Sequence, residues 1–198
     1  MTDARQTTLR QRFFALAIAG IGATAALALS FVMAVYEAAN PETVPVIAAG
    51  EPIDTGRWIV TVHGARAGNT LPTGIATREP KTFITVEFDL NNQSAATSNV
   101  FPKFLSIDPP IPDSGNPTVY LARDGSIGSG LNPDMPERMI AAWEWPSDLD
   151  PPRELRFLVG GQLYKRRDNL YGASGWFDRD PVAAVEIVVS REVGEAVR

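Results

Sequence analysis

Two hydrophobic rhythms divide the chain. Residues 13–36 are a continuous run of 24 without charge or proline, dominated by Ala, Leu, Ile, Val and Phe. From residue 57 onward, apolar positions recur instead at every second residue. As a helix, the first segment is about 36 Å long against roughly 30 Å of bilayer hydrocarbon, which predicts one transmembrane helix. Cleavable small-residue sites such as Ala26-Leu27-Ala28 lie inside it. The apolar run continues past them through Leu29, Phe31, Val32 and Met33, longer than the about 7–15 residues of a signal-peptide core. A retained anchor is therefore expected.

The second rhythm predicts strands, because side chains alternate between the two faces of a pleated ribbon. Trp58, Val60 and Val62 share one parity. In 82–90, Thr82, Ile84, Val86, Phe88 and Leu90 alternate with Phe83, Thr85, Glu87 and Asp89. Met139, Ala141, Trp143 and Trp145 form a third set, Leu155, Phe157 and Val159 a fourth, and Val185, Ile187 and Val189 a fifth. Weaker strands fit 104–107 and 118–122. Turn signals separate them, among them Asn91-Asn92, Asp108-Pro109-Pro110, Asp124-Gly125, Asn132-Pro133-Asp134 and Asp150-Pro151-Pro152. Seven or so short strands and sixteen prolines predict an all-β antiparallel sandwich after the helix. The expected layout is an N-terminal arm (1–12), a transmembrane helix (13–36), an extended stalk (37–54) holding Pro41, Pro45 and Pro52, and a sandwich (55–198).

Charge orients this layout. Arg5, Arg10 and Arg12 precede the helix, whereas Glu37, Glu42, Glu51 and Asp54 follow it with no Lys or Arg until Arg57. The excess of basic residues places the N-terminus in the cytoplasm and the sandwich outside, as a single-pass protein of the cell membrane. The three arginines against Asp3 leave the first twelve residues at +2, so the total of −5 leaves −7 for the rest. Such a domain lacks the clustered cations that bind nucleic acid. The chain has no cysteine, which removes disulfides, thiol catalysis and cysteine-ligated metals.

Within the helix, Gly22, Ala26 and Ser30 fall at i, i+4 and i+8, and Ala15, Ala19 and Ala23 make a second row. Small residues at this spacing let two helices approach closely in lipid. The expected partners are the bilayer itself and an integral membrane protein complex.

Little in the chain suggests catalysis. His63, the one histidine, has no G-x-S-x-G or H-E-x-x-H around it and reads as an exposed strand-end residue. Glu87 and Asp89 are paired carboxylates on the solvent parity of one strand, while Asp108, Asp124, Asp150 and Asp180 sit at turns, where Asp bonds local backbone. The glycine-rich 125–130 lacks the lysine and following helix of a phosphate loop. No catalytic residue, metal or cofactor is expected.

One stretch stands apart. Between the last two strands, 162–177 carries Tyr164, Lys165, Arg166, Arg167, Tyr171, Trp176 and Phe177, basic and aromatic within an acidic domain. A simple hairpin needs only about 2–5 residues there. Long loops on a rigid sandwich often bind, and Tyr, Trp and Arg dominate interface energetics. Tyr164, Lys165, Arg166, Arg167, Tyr171 and Trp176 are the candidate partner-binding residues. The other reading is that the aromatics pack on the sandwich and the basic residues form a solvated turn. An 18-residue stalk extends on the order of 60 Å, enough to hold this loop clear of lipid, which favours a protein partner.

The order of features resembles the bacterial membrane-anchored extracytoplasmic Ig-like domains of unknown function. The matching stretches are 56–62, then 83–91 running into Asn92-Gln93-Ser94, then Leu131-Asn132-Pro133-Asp134-Met135 leading to a strand that ends in Trp145-Pro146. This chain has Pro133-Asp134 where that family usually has Pro-Gly. The resemblance spans about 50–189 and implies an Ig-like β-sandwich with no cofactor and no reaction. It points to a non-enzymatic accessory or interaction subunit of a membrane assembly such as a transporter. The alternative is a free-standing envelope-binding module for a cell-wall polymer or a soluble ligand.

Overall fold

The computed structural model describes residues 27–36, 43–74, 81–99, 101, 103–112, 114–170 and 172–191. Contacts divide the chain into two units, Met1–Thr43 and Val44–Arg198.

In the first unit, residues 27–36 are helical, and Leu27, Leu29, Phe31, Val32, Met33, Val35 and Tyr36 are all exposed. The remaining positions of the expected helix, 13–26, lie outside the described residues. Among the described residues, no helix is long and apolar enough to cross a membrane. Ser30 lies on the described turns and is exposed; Gly22 and Ala26 lie outside them.

The second unit is built from eight strands: β1 (Pro52–Asp54), β2 (Trp58–Gly68), β3 (Thr82–Asn92), β4 (Leu105–Asp108), β5 (Thr118–Leu121), β6 (Glu137–Trp145), β7 (Glu154–Lys165) and β8 (Gly175–Arg191). One layer is β1-β2-β3-β6-β5 and the other is β4-β7-β8. The layers join where β2 runs parallel to β8, with Ala65, Ala67 and Arg66 opposite Val189, Arg191 and Ser190 respectively. Apart from the short β1, this is the strand order of a constant-type immunoglobulin sandwich, four strands against three.

The alternating positions form the core. Trp58, Val60, Ile84, Val86, Phe88, Leu90, Met139, Trp143, Phe157, Val159 and Val185 are buried, and the inner faces meet across the layers. Trp143 packs on Phe157 with ring centroids 5.7 Å apart, and Phe88 meets Phe104 edge-on at 5.3 Å.

Three sequence expectations change. The stalk is shorter than 37–54. Ile47 donates its N–H to Ala184 and Ala184 donates to Pro45, each at 2.8 Å, while Pro52–Asp54 pairs with β2, so residues from Val44 onward belong to the sandwich. His63 is not at a strand end. It is the extra residue of a bulge inside β2, where Val62 faces Phe88 but Gly64 faces Glu87. The bulge exchanges the two faces, so Ala65 and Ala67 point inward and Arg66 points out. Phe83, with the outward parity of β3, is nevertheless buried together with Tyr120 and Ala142, in a hollow that Leu71 also lines.

Candidate interaction surface

The loops joining β3 to β4, β5 to β6 and β7 to β8 gather at one end of the sandwich, the end that carries binding loops in variable immunoglobulin domains. Asn92 organises two of them. Its Nδ2 donates to the carbonyls of Ala96 and Leu131, each at 2.9 Å, and its Oδ1 accepts from Ser94 N at 3.0 Å and Ser94 Oγ at 2.6 Å. A fully buried amide with all these partners is a structural tie. It gives the Asn92-Gln93-Ser94 turn a job in folding. Asp134, in the Asn132-Pro133-Asp134 turn, takes the left-handed conformation (φ 54°). Asp tolerates that region through local bonding better than most residues.

The third connection is an arm. β7 and β8 stay paired out to Leu163 opposite Phe177, Tyr164 opposite Trp176 and Lys165 opposite Gly175. The stretch expected to be a long loop is therefore paired strand at both ends, and 166–174 connects the strands. Two register shifts, at Val159/Gly160 and Gly160/Gly161, place extra residues in β8 and bend the arm away from the sheet. Gly161 permits the bend, since a Cβ there would meet Val182 Cγ1 at 2.7 Å.

The bend brings the arm onto the turn before β2. Gln162 N donates to the Thr55 carbonyl at 2.6 Å. Gly56 lies so close, at φ 91°, that any Cβ would collide with the Gln162 carbonyl. The Arg57 guanidinium is held between two indoles, 5.3 Å from the Trp58 centroid and 5.4 Å from that of Trp176. Tyr164 closes the stack 5.3 Å from Trp176. Burial lowers the Arg57 pKa from its ordinary value, but a guanidinium remains charged, and the flanking π faces compensate its lost water. Lys165 lies 4.6 Å over the Phe177 ring and 3.8 Å from the Asp168 carboxylate. Asp168 is buried at the tip and accepts from Leu170 N at 2.9 Å, shaping the turn.

Of the candidate partner-binding residues, Tyr164, Lys165, Arg166 and Arg167 are exposed together on the arm, and Trp176 is half-buried beneath Tyr164. Tyr171 lies outside the described residues. Arg57 belongs to this constellation although it is more than a hundred positions away in sequence. The Arg57-Trp58 neighbours were visible, but nothing local shows that Trp176 folds onto them. Leu170 is also part of the tip, 80% exposed.

Several polar groups elsewhere are engaged with one another. On the outer face of β2, β3 and β6, Asp89 accepts Arg138 Nε at 2.8 Å and Nη2 at 3.1 Å, and its Oδ2 lies 2.7 Å from His63 Nε2. Arg138 also reaches Glu87 at 3.3 Å. The bond to Arg138 above all holds Asp89 below the usual carboxylate range against the opposing effect of burial, and the bond to His63 adds to the lowering. A general acid needs the opposite shift. The glycine-rich loop packs inward: a Cβ on Gly128 would meet Met139 Cε at 2.7 Å, and Gly125 abuts Pro72. Among the described residues, no group of three His, Cys, Asp or Glu could hold a metal ion.

No family model and no curated protein matches the chain. One solved structure is similar, that of an uncharacterized β-sandwich protein from Clostridium difficile 630, at 10% identity over 71% of this chain and 97% of that one, with a TM-score of 0.45. The fold assignment rests on the strand order itself.

Proposed function

We propose that this chain is a non-enzymatic, membrane-anchored interaction subunit, of the kind its resemblance to extracytoplasmic Ig-like domains implies. Its N-terminal helix packs into an integral membrane assembly such as a transporter, and its sandwich braces the outer face. The observation that carries this reading is the arm. Leu163 and Tyr164 are 44% and 49% exposed on a shaft that is braced from one side by the Arg57 stack. A rigid element presenting aromatic and apolar side chains loses little entropy on docking. The basic residues 165–167 draw an acidic surface toward it. The uncharged run 13–36 and the exposed apolar side chains of 27–36 support the anchor, since an apolar surface of that kind calls for a cover.

Mild-detergent extraction of the tagged full chain tests the reading. The chain is expected to co-migrate with an integral membrane protein, and Gly22→Leu or Ala26→Leu to weaken that association while the sandwich stays folded. Tyr164→Ala is expected to weaken it further. A chain that migrates alone, with or without these substitutions, overturns the proposal.

A further inference from the structure

A second surface of the sandwich carries its own chemistry, at the end away from the arm. β3 begins there at Thr82, opposite Trp145 at the end of β6. Phe83 on β3, Ala142 and Glu144 on β6, and Thr118 and Tyr120 on β5 have the outward parity in this corner. Ala142 pairs with Thr85 on one side and Thr118 on the other, so small side chains make a low row between Phe83 and Tyr120. A hollow of about 400 Å³ results, with Phe83, Tyr120 and Ala142 buried at its floor. A further hollow of about 650 Å³ shares Lys81, Ser114 and Glu144 with it and continues past Trp145 to Ser147 and Asp148. Each is the size of a small-molecule site, about 300–1,000 Å³.

The walls of this cleft are set by bonds of their own. Trp145 Nε1 donates to the Leu149 carbonyl at 2.9 Å, and the Leu149 N–H donates to Pro146 at 3.2 Å. These fix the turn that carries Ser147 and Asp148. On the other wall, Ser114 donates to the Ile111 carbonyl from its N–H at 3.3 Å and from its hydroxyl at 2.9 Å. Buried Pro117 then leads the chain into β5. Walls set in advance reduce the entropy lost when a ligand binds.

Charge narrows the ligand class. The Lys81 ammonium lies 2.7 Å and 2.9 Å from the two carboxylate oxygens of Glu144, so the two charges common to both hollows answer each other. The remaining charged residue of the lining, Asp148, is exposed and repels anions. The cleft also offers no strand for a peptide to extend among the described residues. β3 and β6 are paired on both sides, and Ser126 and Gly128 bond along the outer edge of β5. What remains is an aromatic floor beneath hydroxyl and amide groups, with Asn116, Thr118 and Ser147 exposed among them. A sugar ring has both matching parts. Its weakly positive C–H side suits an aromatic ring, and its hydroxyls donate to and accept from such a rim. We infer that this cleft binds an uncharged glycan chain, with Phe83 and Tyr120 beneath its rings and Asn116, Thr118 and Ser147 bonding its hydroxyls. The inference concerns a different surface from the arm and does not depend on the anchor.

The test applies the full chain, in a detergent without a sugar headgroup, to an array of neutral and charged oligosaccharides. Cello-, chito- and mannooligosaccharides are the neutral probes, and fragments of hyaluronan and heparin the charged ones. Calorimetric titration follows for those retained. Saturable binding of a neutral oligosaccharide, little changed by salt, is expected. Asn116→Ala and Ser147→Ala should each weaken it about fivefold, the loss of one hydrogen bond. Thr118→Trp, which fills the mouth from an exposed position, should abolish it, while circular dichroism shows the sandwich folded. Val188→Ser, on an exposed position of β8, should bind as the parent does. Retention of no neutral oligosaccharide by the folded chain overturns the inference, as does retention of charged ones alone that salt abolishes. Binding that is unaffected by Thr118→Trp, Asn116→Ala and Ser147→Ala places the glycan elsewhere and overturns it too. Capture of unstructured casein peptides that Thr118→Trp blocks, in place of glycan, assigns the cleft to protein and also overturns it.

Discussion

The body of the sandwich and the arm both use aromatic residues, to different ends. In the body, Phe88, Trp143 and Phe157 are at most 2% exposed and lock two sheets together. In the arm, Trp176 remains partly open, backed by Tyr164, and packs on a cation, Arg57, from the turn before β2. The first arrangement is a consequence of alternation and resists change everywhere. The second is a brace that holds a hairpin in place and leaves one side of it exposed.

Substitutions can break this contrast at graded strength. Phe88→Ala is expected to destabilise by about 3–5 kcal/mol, measured by denaturant unfolding, because it empties a fully buried site between the layers. A loss under 1 kcal/mol would mean that the layers are not packed as described. Gly56→Ala comes next, at about 1–3 kcal/mol, because the added methyl must displace the Gln162 carbonyl from a left-handed turn. Amide exchange should show that loss concentrated in Gln162–Lys165, with β3 and β6 protected as before. Exchange raised evenly through the sandwich would make the arm part of the core. Arg57→Ala is expected to cost about 1 kcal/mol, the range of a partly desolvated cation–π contact, with the same local pattern.

The smallest effect concerns pH. Asp89 has its pKa depressed in the folded chain, first by Arg138. Its contribution is therefore fully present above the unfolded carboxylate pKa and is lost as pH falls through the lower folded value. Stability should decline below about pH 4, and Arg138→Gln should flatten that decline slightly, the group being too exposed for more. Equal acid sensitivity in both proteins would leave the cluster without energetic effect.

The same contrast explains what could be read from the residues alone. The body was legible because burial on one face imposes a two-residue period, and Trp58, Val86, Phe88, Trp143, Phe157 and Ile187 are all buried as that period requires. Two interruptions escaped it. The bulge at His63 changes parity within a strand, and the hollow behind Phe83 buries an outward position under a neighbouring loop. The arm's composition was visible, but its form was not. Exposed strands carry no apolar alternation, so Leu163–Lys165 looked like loop. The stalk was misjudged for a related reason: Pro45 and Ile47 bond through their backbones to Ala184, and main-chain pairing leaves no signature in side-chain chemistry.

The parallel run of β2 beside β8 has a consequence for self-association. It seals one side of the sandwich, so neighbouring copies find no unpaired ladder there. Of the outermost strands, β4 and β5 are four residues long each and β1 three, and Pro109 follows β4 while Pro117 precedes β5. Short, proline-flanked edges are poor templates for another chain's backbone. The edges β4 and β5 therefore offer little for a second copy to extend into a fibril.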